Sequence, residues 1–453
     1  MNYNFSVYLK IKMETEINTN NENIYQPNLR LTPKQMEAYL AIKKGQNVFL
    51  TGSAGTGKTS VIKAYVKEYG FKRRIAVTST TGTSALLLGG TTLHSYLAIF
   101  LGKESLNQLY TRISSRAFTL SKWTKLDCLI IDEISMLDPD LFDKLEKLAR
   151  LLRKNDKPFG GIQLVLSGDF LQLPCVGTDN FCFEAKSWNS CVEKTFVFTE
   201  IIRQADIEFQ TCLNFLRFGV VNETVINTLN SRIGVELVNE FNIKPTRLYS
   251  RNIEVDALND HELDILASDG REFYEYSREV KRIKPNLSVE YMEKAKKNCN
   301  APESLQLCVG AQVMLLINMD LASGLCNGSR GIVLDIIEDI PIVQFLNGAC
   351  RSISHHVWDV QEGNEVLMKI IQIPLRVAYA TTIHKSQGSS LDYVEIDLKD
   401  IFDYGQAYVA LSRVKRLEGL SIMDIDYDKI VAHPVAVHFY QSQNNPTEQK
   451  SEL

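Results

Sequence analysis

The chain has no C-x-x-C pair, no uninterrupted apolar run long enough to cross a bilayer, and no excess of positive charge. Its nine cysteines lie far apart. That excludes the closely spaced ligand sets of zinc and iron–sulfur sites and any disulfide framework, and it implies a reducing compartment in which each thiol is a small buried hydrophobe. Without a membrane span, no membrane partner is expected; the expected setting is cytoplasmic, in a bacterial or viral host, with nucleus and organelle as alternatives. Lysine and arginine number 50 against 54 acidic residues, a net charge of −4. A nucleic-acid partner would therefore have to be held by a local groove and not by a global basic field. The start, MNYNFSVYLKIKM, lacks the apolar core and small-residue cleavage site of a signal peptide. Met13 is a candidate alternative initiator, a reading that an intact Met1 or Asn2 terminus in mass spectrometry would refute. Residues 1–28 and 441–453 are polar and without period, and are expected to be disordered tails.

What is present is organised around Asn47 to Ser60, NVFLTGSAGTGKTS. Val48, Phe49 and Leu50 make a short apolar run that fits a buried strand. Gly52, Ser53, Ala54, Gly55, Thr56, Gly57, Lys58 and Thr59 then match the phosphate-binding loop G-x-x-x-x-G-K-[ST]. An amphipathic helix follows, with Val61, Ile62, Tyr65, Val66 and Tyr69 on one face. Glycines let backbone N–H groups turn inward around phosphate oxygens, and the helix N-terminus adds a positive dipole end. Lys58 would neutralise the β and γ phosphates of ATP, and the Thr59 hydroxyl would bind Mg²⁺; Ser60 completes the set of residues assigned to the nucleotide.

The second half of a nucleotide machine lies downstream. Asp127 to Asp132 reads as a buried strand ending in Asp132-Glu133. A carboxylate at a strand end after a phosphate loop holds Mg²⁺, so Asp132 joins Thr59 as a metal ligand. Glu133 can orient and deprotonate water. Asp138-Pro139 opens a helix carrying Leu141, Leu145, Leu148 and Leu152. Ile162 to Ser167 is a further strand, and Gln172 beyond it stands where a strand tip could sense the γ-phosphate. Upstream, Thr32-Pro33 starts a helix in which the Gln35 amide can pair a donor and an acceptor on adenine. Leu248 to Asn259 reads as a strand and helix opening a second α/β unit. From about Leu305 to Val360 the pattern turns all-β, with Asn327-Gly328 and Asn347-Gly348 as turn signals. The parallel pattern returns at Pro374, and Gln406 to Val414 places Arg413 on a short helix.

Taken in order, LTPKQ, GSAGTGKT, TSTTGTSA, TLHSY, DEISM, GDFLQLP, EIIRQ, NGSRGIV, TIHKSQG and YVALSRV resemble the Pif-type DNA helicases of superfamily one, relatives of the RecD helicases. The resemblance runs from about Leu31 to Ile430. Cys175 departs from it, standing where a second proline is usual, as does Tyr96 in place of phenylalanine. The resemblance implies an α/β fold of two RecA-like parallel-sheet domains with a small all-β, SH3-like insert in the second. The expected boundaries are 29–190 for the first domain, with a small helical insert at about 97–122. The second domain is expected at 191–300 and 374–440, with the β insert at 301–373. It further implies ATP between the domains, and five-prime to three-prime movement on single-stranded DNA with unwinding of duplex, forked or structured DNA by a monomer. Gln35 would read adenine, Gln172 would link the γ-phosphate to the DNA track, and Arg203 and Arg413 would be arginine fingers. Gln387 and Gly388 would lie near the nucleotide. Thr78, Thr81, Gly82, His94, Thr382, His384 and Lys385 would touch DNA. Forked duplexes, G-quadruplexes and RNA–DNA hybrids all fit such a track. A P-loop phosphotransferase acting on a small molecule shares Lys58, Thr59 and Asp132 but leaves the second α/β unit unexplained. A non-enzymatic scaffold with a degenerate site conflicts with Glu133, Gln172 and the two arginines.

Overall fold

The structure, a computed structural model, describes residues 31–444 apart from 101, 176, 203, 205, 240–242, 286, 288, 321–322 and 363–364. The described chain opens with α1 (Pro33–Lys43), β1 (Val48–Gly52), α2 (Lys58–Tyr69), β2 (Ile75–Ser79), α3 (Gly82–Leu87) and β3 (Thr91–Thr92). There follow α4 (Leu93–Tyr96), α5 (Leu106–Ser114), α6 (Ala117–Thr124), β4 (Cys128–Asp132), α7 (Pro139–Arg153), β5 (Gln163–Gly168), α8 (Trp188–Cys191) and β6 (Lys194–Phe198). The strands form a six-stranded parallel sheet in the order β3-β2-β4-β5-β1-β6. Helices cover both faces, so the strands read as unbroken apolar runs. Their residues still alternate between two cores. Val48, Leu50, Cys128, Ile130 and Val165 pack with α1 and α2, whereas Phe49, Leu129, Ile131, Leu164 and Leu166 pack with α5, α6 and α7.

Because the strands are parallel, all their carboxyl ends lie along one edge, where open α/β sheets bind ligands. The neighbours β4, β5 and β1 deliver Asp132, the Gly168–Pro174 segment and the phosphate loop side by side. Beyond β6 come α9 (Ile207–Arg217), α10 (Glu223–Asn230), β7 (Thr246–Tyr249) and α11 (Asn252–Ser268).

A separate compact unit comprises residues 238–244 and 256–379. It holds β8 (Tyr274–Ser277), β9 (Glu279–Arg282), α12 (Val289–Asn298), β10 (Ser304–Leu307), β11 (Gln312–Leu315), β12 (Arg330–Ile337) and β13 (Ile340–Phe345). Four more strands complete it: β14 (Cys350–Ser352), β15 (His356–Glu362), β16 (Glu365–Gln372) and β17 (Leu375–Val377). A five-stranded antiparallel sheet, β14-β13-β12-β11-β17, encloses a core around Val313, Val343 and Phe345. Asn347-Gly348 turns β13 into β14 as its sequence requires. The turn between β12 and β13 is made by Glu338 and Asp339, both at positive φ, a position no glycine announces.

The chain then returns to the first unit with β18 (Ala380–Thr382), α13 (Ile383–Ser386), β19 (Val394–Leu398), α14 (Gln406–Leu411), β20 (Leu420–Ile425) and α15 (Pro434–Asn444). A second parallel sheet runs β18-β7-β19-β20.

Three expectations need correction. Residues 194–198, assigned to the second domain, form the edge strand β6 of the first sheet beside β1, since their pattern fits the edge of either sheet. Gln441 to Asn444 are helical, and their helix packs Ala436 and Tyr440 into the first sheet's core. Arg413 lies in the turn just past α14 and not on the helix. The expected tails at 1–28 and 445–453 lie outside the described residues. Among the described residues, no helix is long and apolar enough to cross a membrane.

Candidate active site

The phosphate loop is built by backbone conformation. Gly52, Gly55 and Gly57 all take positive φ, and a Cβ on Gly52 would lie 2.1 Å from Phe198 O of the neighbouring strand. A side chain there is excluded by β6 itself. Lys58 Nζ donates to Gly52 O at 2.7 Å and to Ser53 O at 3.0 Å, so its ammonium sits over the mouth of the loop. Burial holds its pKa below the usual lysine value, while Asp169, Glu133 and Asp132 pull the other way. Thr59 and Ser60 lie in the first turn of α2, whose N-terminal end adjoins the loop.

Gln35 is buried and already engaged. Its Oε1 accepts from Thr32 N–H at 2.9 Å in a capping box, and its Nε2 donates to Thr56 O of the loop at 2.9 Å. The residue expected to read adenine thereby has both ends of its amide engaged, one on the loop and one on the cap of its own helix.

Asp132 ends β4 and is 6% exposed. Its Oδ2 accepts from Ser84 Oγ at 2.7 Å. With one oxygen so oriented and Thr59 at the head of α2, this pair has the hard-oxygen chemistry that Mg²⁺ prefers. Glu133 follows at φ 53°, a left-handed conformation that turns its side chain away from the strand direction. Burial pushes its carboxyl up to about 7, with Asp132 adding to the shift; Lys58, Arg413 and a hydrogen bond from Gln387 hold it lower. A carboxylate with that pKa takes a proton at neutral pH far more readily than an ordinary glutamate.

The second sheet contributes directly to this group. The Thr382–Gly388 segment leaves β18 through the short helix α13, and Gln387 Nε2 donates to Glu133 Oε2 at 3.1 Å. A Cβ on Gly388 would lie 3.8 Å from Glu133 Oε1. Arg413 is 2% exposed and caged by carbonyls, Nε to Val409 O at 2.9 Å and Nη1 to Ser389 O at 3.4 Å, with Nη2 on Ser412 Oγ at 2.7 Å. Its charge acts on Glu133 from there. Arg203 lies outside the described residues. Its neighbours are placed, however: Ile202 N–H donates to Gly55 O at 2.9 Å, and Gln204 Nε2 donates to Val414 O at 3.3 Å, next to Arg413. Ile202 thus meets the phosphate loop and Gln204 the residue next to Arg413. Gln172, buried at the end of β5, is met by the second sheet as well. A Cβ on Gly405, the N-cap of α14, would lie 2.9 Å from Gln172 O.

The expected DNA-contacting residues separate into two kinds. Lys385 is exposed, and Thr81, Gly82, His94 and His384 are half-buried. Thr78 is buried in β2, and its hydroxyl donates to Ile130 O at 2.6 Å, so its side chain is committed to the sheet. Thr382 is likewise buried, its hydroxyl capping α13 at Lys385 N–H. Both are hydroxyl residues at strand ends, where sequence reasoning does not separate a structural cap from a ligand contact.

Sequence reasoning missed a buried polar group beneath the phosphate loop. Arg217 of α9 grips Asp169 through Nε–Oδ2 at 2.9 Å and Nη2–Oδ1 at 2.8 Å. Tyr440 of α15 packs its ring 4.5 Å from the Arg217 guanidinium and bonds Thr51, while Tyr408 of α14 bonds Ala54. The one available signal was an arginine following the apolar row Phe209, Leu213 and Leu216.

Comparison with known proteins agrees with this geometry. A family model described as PIF1-like helicase matches residues 30–219, and one described as the 2B domain of the DNA helicase Pif1 matches residues 290–336. The ATP-dependent DNA helicase PIF1 of Xenopus laevis is 40% identical over 91% of this chain; the chain spans 64% of that relative's length. The Pif1 helicase from Candida albicans superposes with a TM-score of 0.79 at 34% identity, covering 91% of this chain and 99% of that one. The Bacteroides Pif1 helicase in complex with ADP-AlF3 and ssDNA superposes with a TM-score of 0.69 at 28% identity, covering 93% and 98%. With a phosphate loop on one parallel sheet, a glutamine brought to the buried Glu133 carboxylate beside it by another, and these likenesses along nearly the whole chain, the protein belongs to the PIF1-like helicase family.

Proposed function

We propose that this protein is an ATP-dependent DNA helicase that moves five-prime to three-prime on single-stranded DNA and separates duplex, forked or structured DNA, acting as a monomer in solution. The observation that carries the reading is the hydrogen bond between Glu133 of the first sheet and Gln387 of the second. It sits beside Lys58 and within the field of Arg413. The solved relatives support the ligands: one holds ADP-AlF3 and ssDNA together.

In this mechanism Lys58 and the loop amides bind the β and γ phosphates, and the α2 N-terminus favours their charge. Thr59 and Asp132 would hold Mg²⁺, which when bound neutralises phosphate charge. Glu133 takes the proton of the attacking water. Arg413, with Arg203, places positive charge on the transferring phosphoryl group; such a finger is worth ~10³–10⁵ in rate. Because the arginine and Gln387 come from the second sheet, bound triphosphate favours approach of the two sheets, and hydrolysis relaxes it. The segment Thr382–Lys385, two residues before Gln387, carries that change to the DNA strand.

The ATPase rate with and without single-stranded oligonucleotide tests this reading. Strong stimulation supports it, whereas hydrolysis indifferent to DNA points to a small-molecule phosphotransferase. Strand displacement on substrates with each overhang decides polarity.

A further inference from the structure

The C-terminal helix α15 follows the last strand of the second sheet, yet its Tyr440 is buried under the first. We propose that Tyr440 and Tyr408 are positioning residues for the triphosphate: their hydroxyls, arrayed around the Asp169–Arg217 ion pair, hold the phosphate loop in its binding conformation. This inference rests on the nucleotide-binding reading above.

Each hydroxyl has a defined partner in the loop or the strand that feeds it. Tyr440 Oη lies 2.5 Å from Thr51 Oγ1, one residue before Gly52. It also accepts from Phe170 N–H at 3.1 Å, so its own proton is left for Thr51. One phenol therefore ties the start of the phosphate loop to the segment that carries Gln172. Tyr408 Oη accepts from Ala54 N–H at 2.8 Å, inside the loop. Ser53, between these two points, donates to Asn214 Oδ1 of α9 at 3.3 Å. The loop is thus held from α9, α14 and α15, three helices that follow the first sheet in the chain.

The ion pair fixes the two rings. Arg217 and Asp169 are 6% and 0% exposed and joined by two hydrogen bonds, a geometry that tolerates little movement. The Tyr440 ring packs on the guanidinium, and Tyr408 lies in the field of both charges. Phenylalanine would fill the same space at either position. The hydroxyls are what a purely apolar anchor would not need; one ends on the loop at Ala54 and the other on Thr51, the residue before it. An N–H of the loop that is already satisfied by Tyr408 cannot turn away from its set, so the remaining N–H groups are presented without reorganisation when phosphate arrives.

The test uses the full chain and a fluorescent ATP analogue. Tyr440→Phe and Tyr408→Phe each remove one hydroxyl and keep the ring. Tyr408→Phe, which loses one buried hydrogen bond, is expected to weaken nucleotide binding roughly three- to tenfold, and Tyr440→Phe, which loses those to Thr51 and Phe170, at least as much. The KM for ATP should rise by the same factor, while kcat at saturating ATP falls by less than KM rises. Thr51→Val breaks one of the two Tyr440 bonds from the other side and should weaken binding in the same direction, with no further loss when combined with Tyr440→Phe. Parent-like nucleotide affinity in both tyrosine variants, even with a lowered melting temperature, would overturn the inference and leave the tyrosines as packing. A parent chain that fails to bind the analogue would instead overturn the nucleotide-binding reading itself.

Discussion

Replacing Arg217 by methionine should destabilise the first sheet far more than an ordinary surface change. The substitution keeps an unbranched apolar side chain under the Tyr440 ring but removes both hydrogen bonds to Asp169. Asp169 is 0% exposed, and what remains to it is Leu171 N–H at 3.2 Å and the field of Lys58. Removing one partner of a buried ion pair costs about 3–5 kcal/mol, because the other charge stays behind without compensation. For a domain of this size that corresponds to a drop of roughly 5–15 °C in the melting midpoint. Tryptophan fluorescence reads it directly, since Trp123 and Trp188 both sit in the first sheet's core. The double variant Asp169→Asn/Arg217→Met removes the charge too, and should recover more than half of the loss. The pH dependence has a fixed sign. In the parent, burial raises the Asp169 pKa, but Arg217, with Lys58 and the Leu171 N–H, outweighs it and holds the carboxyl below its ordinary value, so the pair stabilises above the usual aspartate range and fades as pH falls. In Arg217→Met the bare buried carboxylate is disfavoured, so protonation relieves it and the gap to the parent narrows as pH falls. A midpoint within about 2 °C of the parent, or a double variant no better than the single, would refute the reasoning.

Lys58→Ala should abolish ATP turnover while single-strand binding remains measurable by fluorescence anisotropy; unchanged ATPase activity would contradict the site. Arg413→Ala should bind the ATP analogue but hydrolyse ATP poorly, by a factor of ~10³ or more, in a single-turnover assay. Loss of binding with normal turnover of what binds would argue against the finger role. With the Glu133 carboxyl raised to about 7, kcat/KM for ATP should climb with pH through that region as the base deprotonates, and Glu133→Gln should flatten this limb along with most of the rate. A parent profile flat from pH 6 to 8 would remove Glu133 as the base.

Much of the site was legible because its chemistry is local in the chain. The phosphate loop, its strand and its helix are consecutive, and bonds within a few residues, Thr56 to Ser53 and Lys58 to Gly52, contribute to their shape. Asp132-Glu133 was readable from a buried run ending in two acids. The second sheet's share was legible only through ordered motifs, since nothing in TIHKSQG by itself says that Gln387 meets Glu133, 254 residues away. Thr78 and Thr382 show the converse: their residue type suits a ligand contact, and only burial shows that the hydroxyls serve the backbone.

The sequence by itself determined the nucleotide chemistry, the two parallel sheets and the β-rich insertion in the chain between β7 and β18, since glycine placement, apolar periodicity and strand-end acids act over a few residues. Tertiary structure alone decided which sheet takes Lys194–Phe198, why Arg217 is buried, and that Tyr440 reaches Thr51 across 389 residues. Those contacts depend on which surfaces meet when the chain closes, and a buried pair leaves no mark on the spacing of either partner.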